Sequence, residues 1–158
     1  MTSAASGTTA GNAPGQRISW GTDYRTYAKV TGYVNSLEHG NRLGVTYASP
    51  AEGATIYRQN SALVRENKSG GFSNYPVGTV VVMETWLKSA SGAPTTQGPI
   101  FFMRKERGGF DPEGRDWFYG FTDAKLNLIA EGRDGRVTFC RGCHVSVANR
   151  DAVFAVDR

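Results

Sequence analysis

The strongest pattern in the chain is Thr79–Leu87, TVVVMETWL, a run rich in β-branched and aromatic residues that predicts a strand central to its sheet. Side chains alternate along a strand, so Val81, Met83 and Thr85 share one face and Val82 and Glu84 the other. Val81 and Met83 are expected to face the interior, with Glu84 turned to solvent or a partner. The turn Tyr75-Pro76-Val77-Gly78 launches this strand. Leu43–Ala48, Ile100–Lys105 and the aromatic stretch Asp116–Thr122 predict further strands. Gly108, Gly109, Pro112 and Gly114 make the last connection a shaped loop, which points to antiparallel pairing. Helical signals are short. Tyr24, Tyr27 and Ala28 sit at helical spacing within Thr22–Lys29, and Ser49, Pro50 and Glu52 open a second helix running towards Asn60. Val64–Asn74 is expected to be a loop and Ser89–Pro99 a linker. The expected class is therefore mainly β (α+β): an antiparallel sheet with a few short helices.

Composition sets the scale. With 39% hydrophobic and 20% charged residues in 158, the chain suits one compact domain over residues 17–158. Residues 1–16, almost wholly Ser, Ala, Thr, Gly, Asn and Pro, read as a flexible leader. The excess of 18 basic over 14 acidic side chains is mild, and no Lys or Arg run exceeds a pair, so no nucleic-acid partner is expected. No stretch approaches the roughly 18 apolar residues of a membrane span, and no export signal is recognisable at the N-terminus.

The chemistry concentrates near the C-terminus. The only two cysteines stand in Cys140-Arg141-Gly142-Cys143-His144, the spacing at which two thiols add to the vinyl groups of a haem while the adjacent imidazole reaches the iron. This predicts one covalent haem c per chain, attached through Cys140 and Cys143 with His144 as the metal ligand. Attachment of this kind is ordinarily carried out beyond the bacterial cytoplasm, so a periplasmic location and a removed export signal are expected. A thioredoxin-like pair would call for a parallel-sheet unit, and structural zinc for four ligands. Neither suits this pattern.

The residue opposite His144 decides between electron transfer and ligand binding. His39, the only other histidine, lies in the polar stretch Leu37–Asn41 and reads as a surface histidine on an exposed turn. Met83 and Met103 sit in apolar strands, where core packing is the plainer reading. A five-coordinate iron is therefore expected, with an electron carrier using Met83 or His39 as sixth ligand as an alternative. Phe110 is flanked by Gly109 and Asp111-Pro112 in a loop, where a large ring must cover something or stay exposed. The charge run Arg104–Asp111 offers either a solvated face or partners for haem propionates.

Several stretches together resemble the cytochrome P-460 family and its relative cytochrome c′-beta. They are TDYRTYAKVTGYV (22–34), VTYASP (45–50), YPVGTVVVMETW (75–86), FFMRKERGGFDPEGRDWFYGF (101–121) and CRGCHVSVANRDAVF (140–154). The resemblance implies a small periplasmic haem protein built on a β-sheet, a homodimer, and a shielded distal pocket. In the hydroxylamine-oxidising members a strand lysine becomes bonded to the macrocycle edge; the matching residue here is Met83, which has no amine. The position matching their catalytic carboxylate is Phe110. Both departures resemble cytochrome c′-beta, where aromatic rings crowd the distal face and small neutral gases are favoured. With Phe101, Phe102 or Trp86 near Phe110, such a pocket offers no donor to polar ligands. The reading is thus a binder of nitric oxide or carbon monoxide, with a redox partner protein as a further expectation. The enzymatic alternative, a hydroxylamine or nitric oxide oxidoreductase or a peroxidase, would draw on Asp111 or Glu113 as acid or base.

Overall fold

The computed structural model describes residues 16–157. The expected leader lies outside them except for Gln16, whose carbonyl accepts from the Leu128 amide at 2.7 Å. Seven antiparallel strands form one sheet: β1 (Ala28–Lys29), β2 (Val34–Ser36), β3 (Arg42–Ser49), β4 (Val80–Lys88), β5 (Pro94–Lys105), β6 (Trp117–Thr122) and β7 (Leu128–Glu131). β3 to β7 follow in sequence order, while β1 and β2 pair with successive parts of the free edge of β3. Two helices complete the fold, α1 (Ala51–Arg65) and α2 (Gly135–His144). The expected mainly β, antiparallel class is the observed one, with β4 inside the sheet.

Alternation along the strands creates two unlike faces. On one, Val81, Met103, Tyr119 and Ala48 join α1, α2 and the C-terminal segment in a core that also takes in Trp117, Tyr75 and Val153. On the other, Val82, Ile100 and Phe102 pack with Ile18 and Tyr24. Val81, Met83 and Thr85 do share a face, as the period of two requires. Glu84 does point the other way but is not solvated: at 4% exposure it accepts from Tyr24, Arg25 and the Trp86 indole. Burial of so many donors around one carboxylate satisfies it without solvent.

Local expectations needed three corrections. Thr22–Lys29 is not a helix but a 3-10 turn, Tyr24–Thr26, followed by β1, because Ala28 and Lys29 find ladder partners in Ala48 and Tyr47. The second helix continues to Arg65, two residues into the expected loop, its last turn closed by bonds from the Glu66 amide. The expected linker is half strand: β5 begins at Pro94 and pairs with Lys88, leaving Ser89–Ala93 as a hairpin turn closed by the Ser89 amide on Ala93. Its small polar residues suit an edge extension and hid it.

Candidate haem-binding site

α2 turns three sequence neighbours into a site. Asp134 caps the helix, its carboxylate accepting from the Arg136 amide. Helical geometry then places Cys140, Cys143 and His144 at i, i+3 and i+4, on one face. That face closes one side of a cavity of about 370 Å3, whose lining includes all three residues. Its floor is the sheet: Thr46, Met83 and Phe101 stand in one cross-strand row, and Val81, Met103 and Tyr119 in the next. The lining is mostly apolar by area, with Ser36, Glu38, His39, Thr46 and Tyr119 among its polar residues, and among the described residues no lysine or arginine lines it.

His144 is oriented from behind. Its Nδ1 lies 2.7 Å from the Ala152 carbonyl, which can only accept, so Nδ1 carries the proton and Nε2 keeps its lone pair. Tyr119 and Phe154 flank the ring at centroid distances of 5.4 and 5.3 Å. Burial pushes the imidazole below its ordinary range, which favours the neutral, ligating form, while the Ala152 contact opposes that shift. Burial likewise pushes both thiols up. Asp151 and Ala152 both occupy left-handed backbone, at φ 54° and 59°. Such conformations cost on the order of 1–3 kcal/mol each unless the surroundings enforce them. The enforcement is visible: the buried Asp151 carboxylate takes bonds from Lys105 Nζ at 2.6 Å and the Tyr75 amide at 2.8 Å, and its carbonyl accepts from the Trp117 indole at 2.7 Å.

Met83 lines the cavity as expected, its sulfur lying over Gly44 of β3. Phe110 does not. It is 54% exposed and packs on Phe118, 6.1 Å between centroids. Phe118 alternates with Trp117 and Tyr119 along β6, so it belongs to the face away from the cavity. The ring over the cavity is instead Phe101, supported by Phe121 at 5.7 Å. The charge run is also spent elsewhere. Arg104 lies over Trp20 and Phe118, while Lys105 serves Asp151. Asp111 and Glu113 face Arg141, at 2.5 and 3.6 Å, and neither lines the cavity.

His39 is the residue that sequence reasoning misplaced. The exposed turn is there as expected, but the His39 ring is half-buried and lines the cavity, 4.4 Å from Phe101 and with its Nδ1 2.7 Å from Ser36 Oγ. Burial, with His144 contributing through space, pushes it down to about 4. The five-residue tip Leu37–Asn41 of the β2–β3 hairpin folds over the sheet, and Lys88 bonds Asn35 and Asn41 at 2.9 Å each to hold it there. Glu38, also unforeseen, is the one carboxylate on the lining among the described residues, exposed beside Cys143.

The residues fit a haem. Both thiols and a neutral imidazole open onto one apolar cavity, and the exposed apolar residues Leu37, Phe139 and Val156 all lie on its lining, where a flat hydrophobic group would cover them. Among the described residues, no group of three His, Cys, Asp or Glu side chains converges to hold a bare ion, and no helix is long and apolar enough to cross a membrane. A search of curated proteins gives no match. The family model described as cytochrome P460, however, matches residues 22–155, a span that contains the sheet, both helices and every residue of the cavity lining except Val156. The chain belongs to the cytochrome P460 family, whose members are haem proteins.

Proposed function

We propose that this chain carries one haem c in the cavity, bonded through Cys140 and Cys143 with His144 as proximal ligand, and that it binds a small neutral diatomic, nitric oxide or carbon monoxide. The observation that supports this best is the cavity wall: Val81, Met83, Phe101 and Met103 face the space before His144. When bound, the haem supplies an iron able to take a diatomic ligand. The chain's residues do the rest. Ala152 holds the proton on Nδ1 of His144 so that Nε2 can ligate, and the apolar floor excludes water and denies charged ligands a favourable setting.

The same wall argues against hydroxylamine turnover. Met83 presents a thioether where a cross-link needs an amine, and among the described residues no lysine reaches the lining. Asp111 and Glu113 are turned to Arg141 outside the cavity. A periplasmic location and a homodimer belong to the same proposal, by likeness to the family pattern. Acid–acetone treatment of matured protein should leave the pigment on the chain. Carbon monoxide should shift the reduced spectrum saturably, and hydroxylamine should give no sustained reduction of an acceptor. Extraction of free haem, or steady hydroxylamine turnover, would refute the reading.

A further inference from the structure

Two imidazoles share this cavity. His144 stands against Tyr119, whose row runs through Met103 and Val81. His39 stands against Phe101, whose row runs through Met83 and Thr46. Phe101 and Met103 are two residues apart on β5, so the rows are separated by about 7 Å along the strands. That is roughly twice the 3.5–4.0 Å contact distance between packed groups. Between the two rows that spacing leaves room for one flat group standing on the sheet. Both rings line the same cavity, each packed on an aromatic residue of its own row.

His39 is also prepared on its own side. Ser36 engages Nδ1, and Nε2 has no protein partner among the described residues. A serine hydroxyl can accept from Nδ1–H, which leaves the Nε2 lone pair free, as the Ala152 carbonyl does for His144. Lys88 ties both flanks of the hairpin tip, so the ring is held over the cavity by more than its own loop. This repeats the arrangement at His144: an imidazole bonded at one nitrogen, packed on an aromatic ring, its other nitrogen free to face the cavity.

We propose that His39, through Nε2, is a second and exchangeable axial ligand on the side opposite His144, and that an incoming diatomic binds by displacing it. The proposal rests on the haem reading above and refines its distal side: the open position expected from the sequence depended on His39 at the surface and Phe110 over the haem, and the structure places each elsewhere. The displaced imidazole has somewhere to go, because it sits on a hairpin tip and not on a strand of the sheet floor.

The test uses the matured haem-loaded protein. Resting ferric protein should show a low-spin, six-coordinate absorption and electron paramagnetic resonance spectrum. His39→Ala should convert it to high spin, and added imidazole should restore the low-spin form. Carbon monoxide should associate about tenfold faster with the variant, the factor expected where His39 occupies the position about nine-tenths of the time. Ser36→Ala, a milder change, should give a mixture of spin states. Three results would overturn the proposal: a high-spin resting protein unchanged by His39→Ala, a low-spin form abolished by Met83→Leu but not by His39→Ala, or carbon monoxide binding equally fast with and without His39. Loss of covalent pigment would instead sink the haem reading on which this stands. If His39→Ala does not fold, His39→Gln, which keeps a polar side chain of similar reach, must show the same spin change.

Discussion

Replacing Lys105 with methionine should be strongly destabilising, although Lys105 touches neither cysteine nor His144. Its side chain is 11% exposed, and the ammonium bonds both the carboxylate of Asp151, whose side chain is 2% exposed, and the Arg115 carbonyl. Methionine keeps most of the length and apolar stem but leaves Asp151 with only the Tyr75 amide. Breaking one side of a buried ion pair costs about 3–5 kcal/mol. The retained amide bond and the slight exposure of the lysine argue for the lower end, about 3 kcal/mol. In a chain of this size each kcal/mol moves the midpoint by about 2–4 °C, so Tm should fall by about 6–12 °C. Differential scanning calorimetry of the loaded protein measures that. The effect should be coupled: Asp151→Asn alone should also destabilise, and the double variant Lys105→Met/Asp151→Asn should lose about 1–3 kcal/mol less than the sum of the single losses. Hydrogen exchange should rise first around residues 147–155, since Asp151 enforces the left-handed backbone that presents the Ala152 carbonyl to His144. A loss under about 1 kcal/mol together with additive single changes would show that the pair does not hold this segment.

Three further changes test other joints of the fold. Gly44→Ala would bring a Cβ to 2.8 Å from the Met83 sulfur, so the flexible thioether should swing into the cavity and lower carbon monoxide affinity, at a stability cost of no more than about 1–3 kcal/mol. Gly53→Ala should destabilise even though alanine is the better helix former by about 1 kcal/mol, because its Cβ would sit 2.7 Å from Thr79 Cγ2, on a fully buried residue with little room to move; denaturant melts decide the sign. The Arg141 guanidinium holds Asp111 below its ordinary carboxylate range. A lowered folded value means that the contribution is fully present above the unfolded value and is lost as pH falls through the folded one. Asp111→Asn should therefore weaken the protein slightly at neutral pH, by less than about 1 kcal/mol for so exposed a pair, and make no difference in strong acid.

Features written in consecutive residues are legible in the sequence alone. The run TVVVMETWL dictates β4 and its two faces, since alternation needs only the order of residues. Cys140, Cys143 and His144 carry their chemistry in their spacing, and α2 adds only the face they share. β2 and β7, at three and four residues, are not legible in this way, because so short a strand exists only through the partner it pairs with. Ala28–Lys29 is drawn from an expected helix into a strand for the same reason: the β3 edge offers two ladder partners that helical spacing cannot reveal. The start of β5 hides among Thr, Gln, Gly and Pro, residues that also compose linkers.

The distal side failed differently, and the failure locates where its specificity is built. Phe110 looked right by composition, a ring in a glycine-bounded loop, but which sheet face a loop residue meets depends on its neighbours in space. Phe118, its actual contact, is one step out of phase with Tyr119 and Trp117. His39 looked wrong by composition, a histidine among polar residues, yet the polarity of its surroundings serves to hold it: Ser36 engages its ring, while Asn35 and Asn41 accept from Lys88. Ser36 three residues before His39, with Gly40-Asn41 after it, was the only local trace of that device. On the proposed reading the proximal side is encoded on one helix and the distal side on a hairpin tip fastened to the sheet from Lys88 of β4. With the haem held as proposed, changes to the tip would alter what stands opposite His144 while leaving untouched the helix that carries Cys140 and Cys143, so in this chain ligand chemistry and haem attachment would be separately variable.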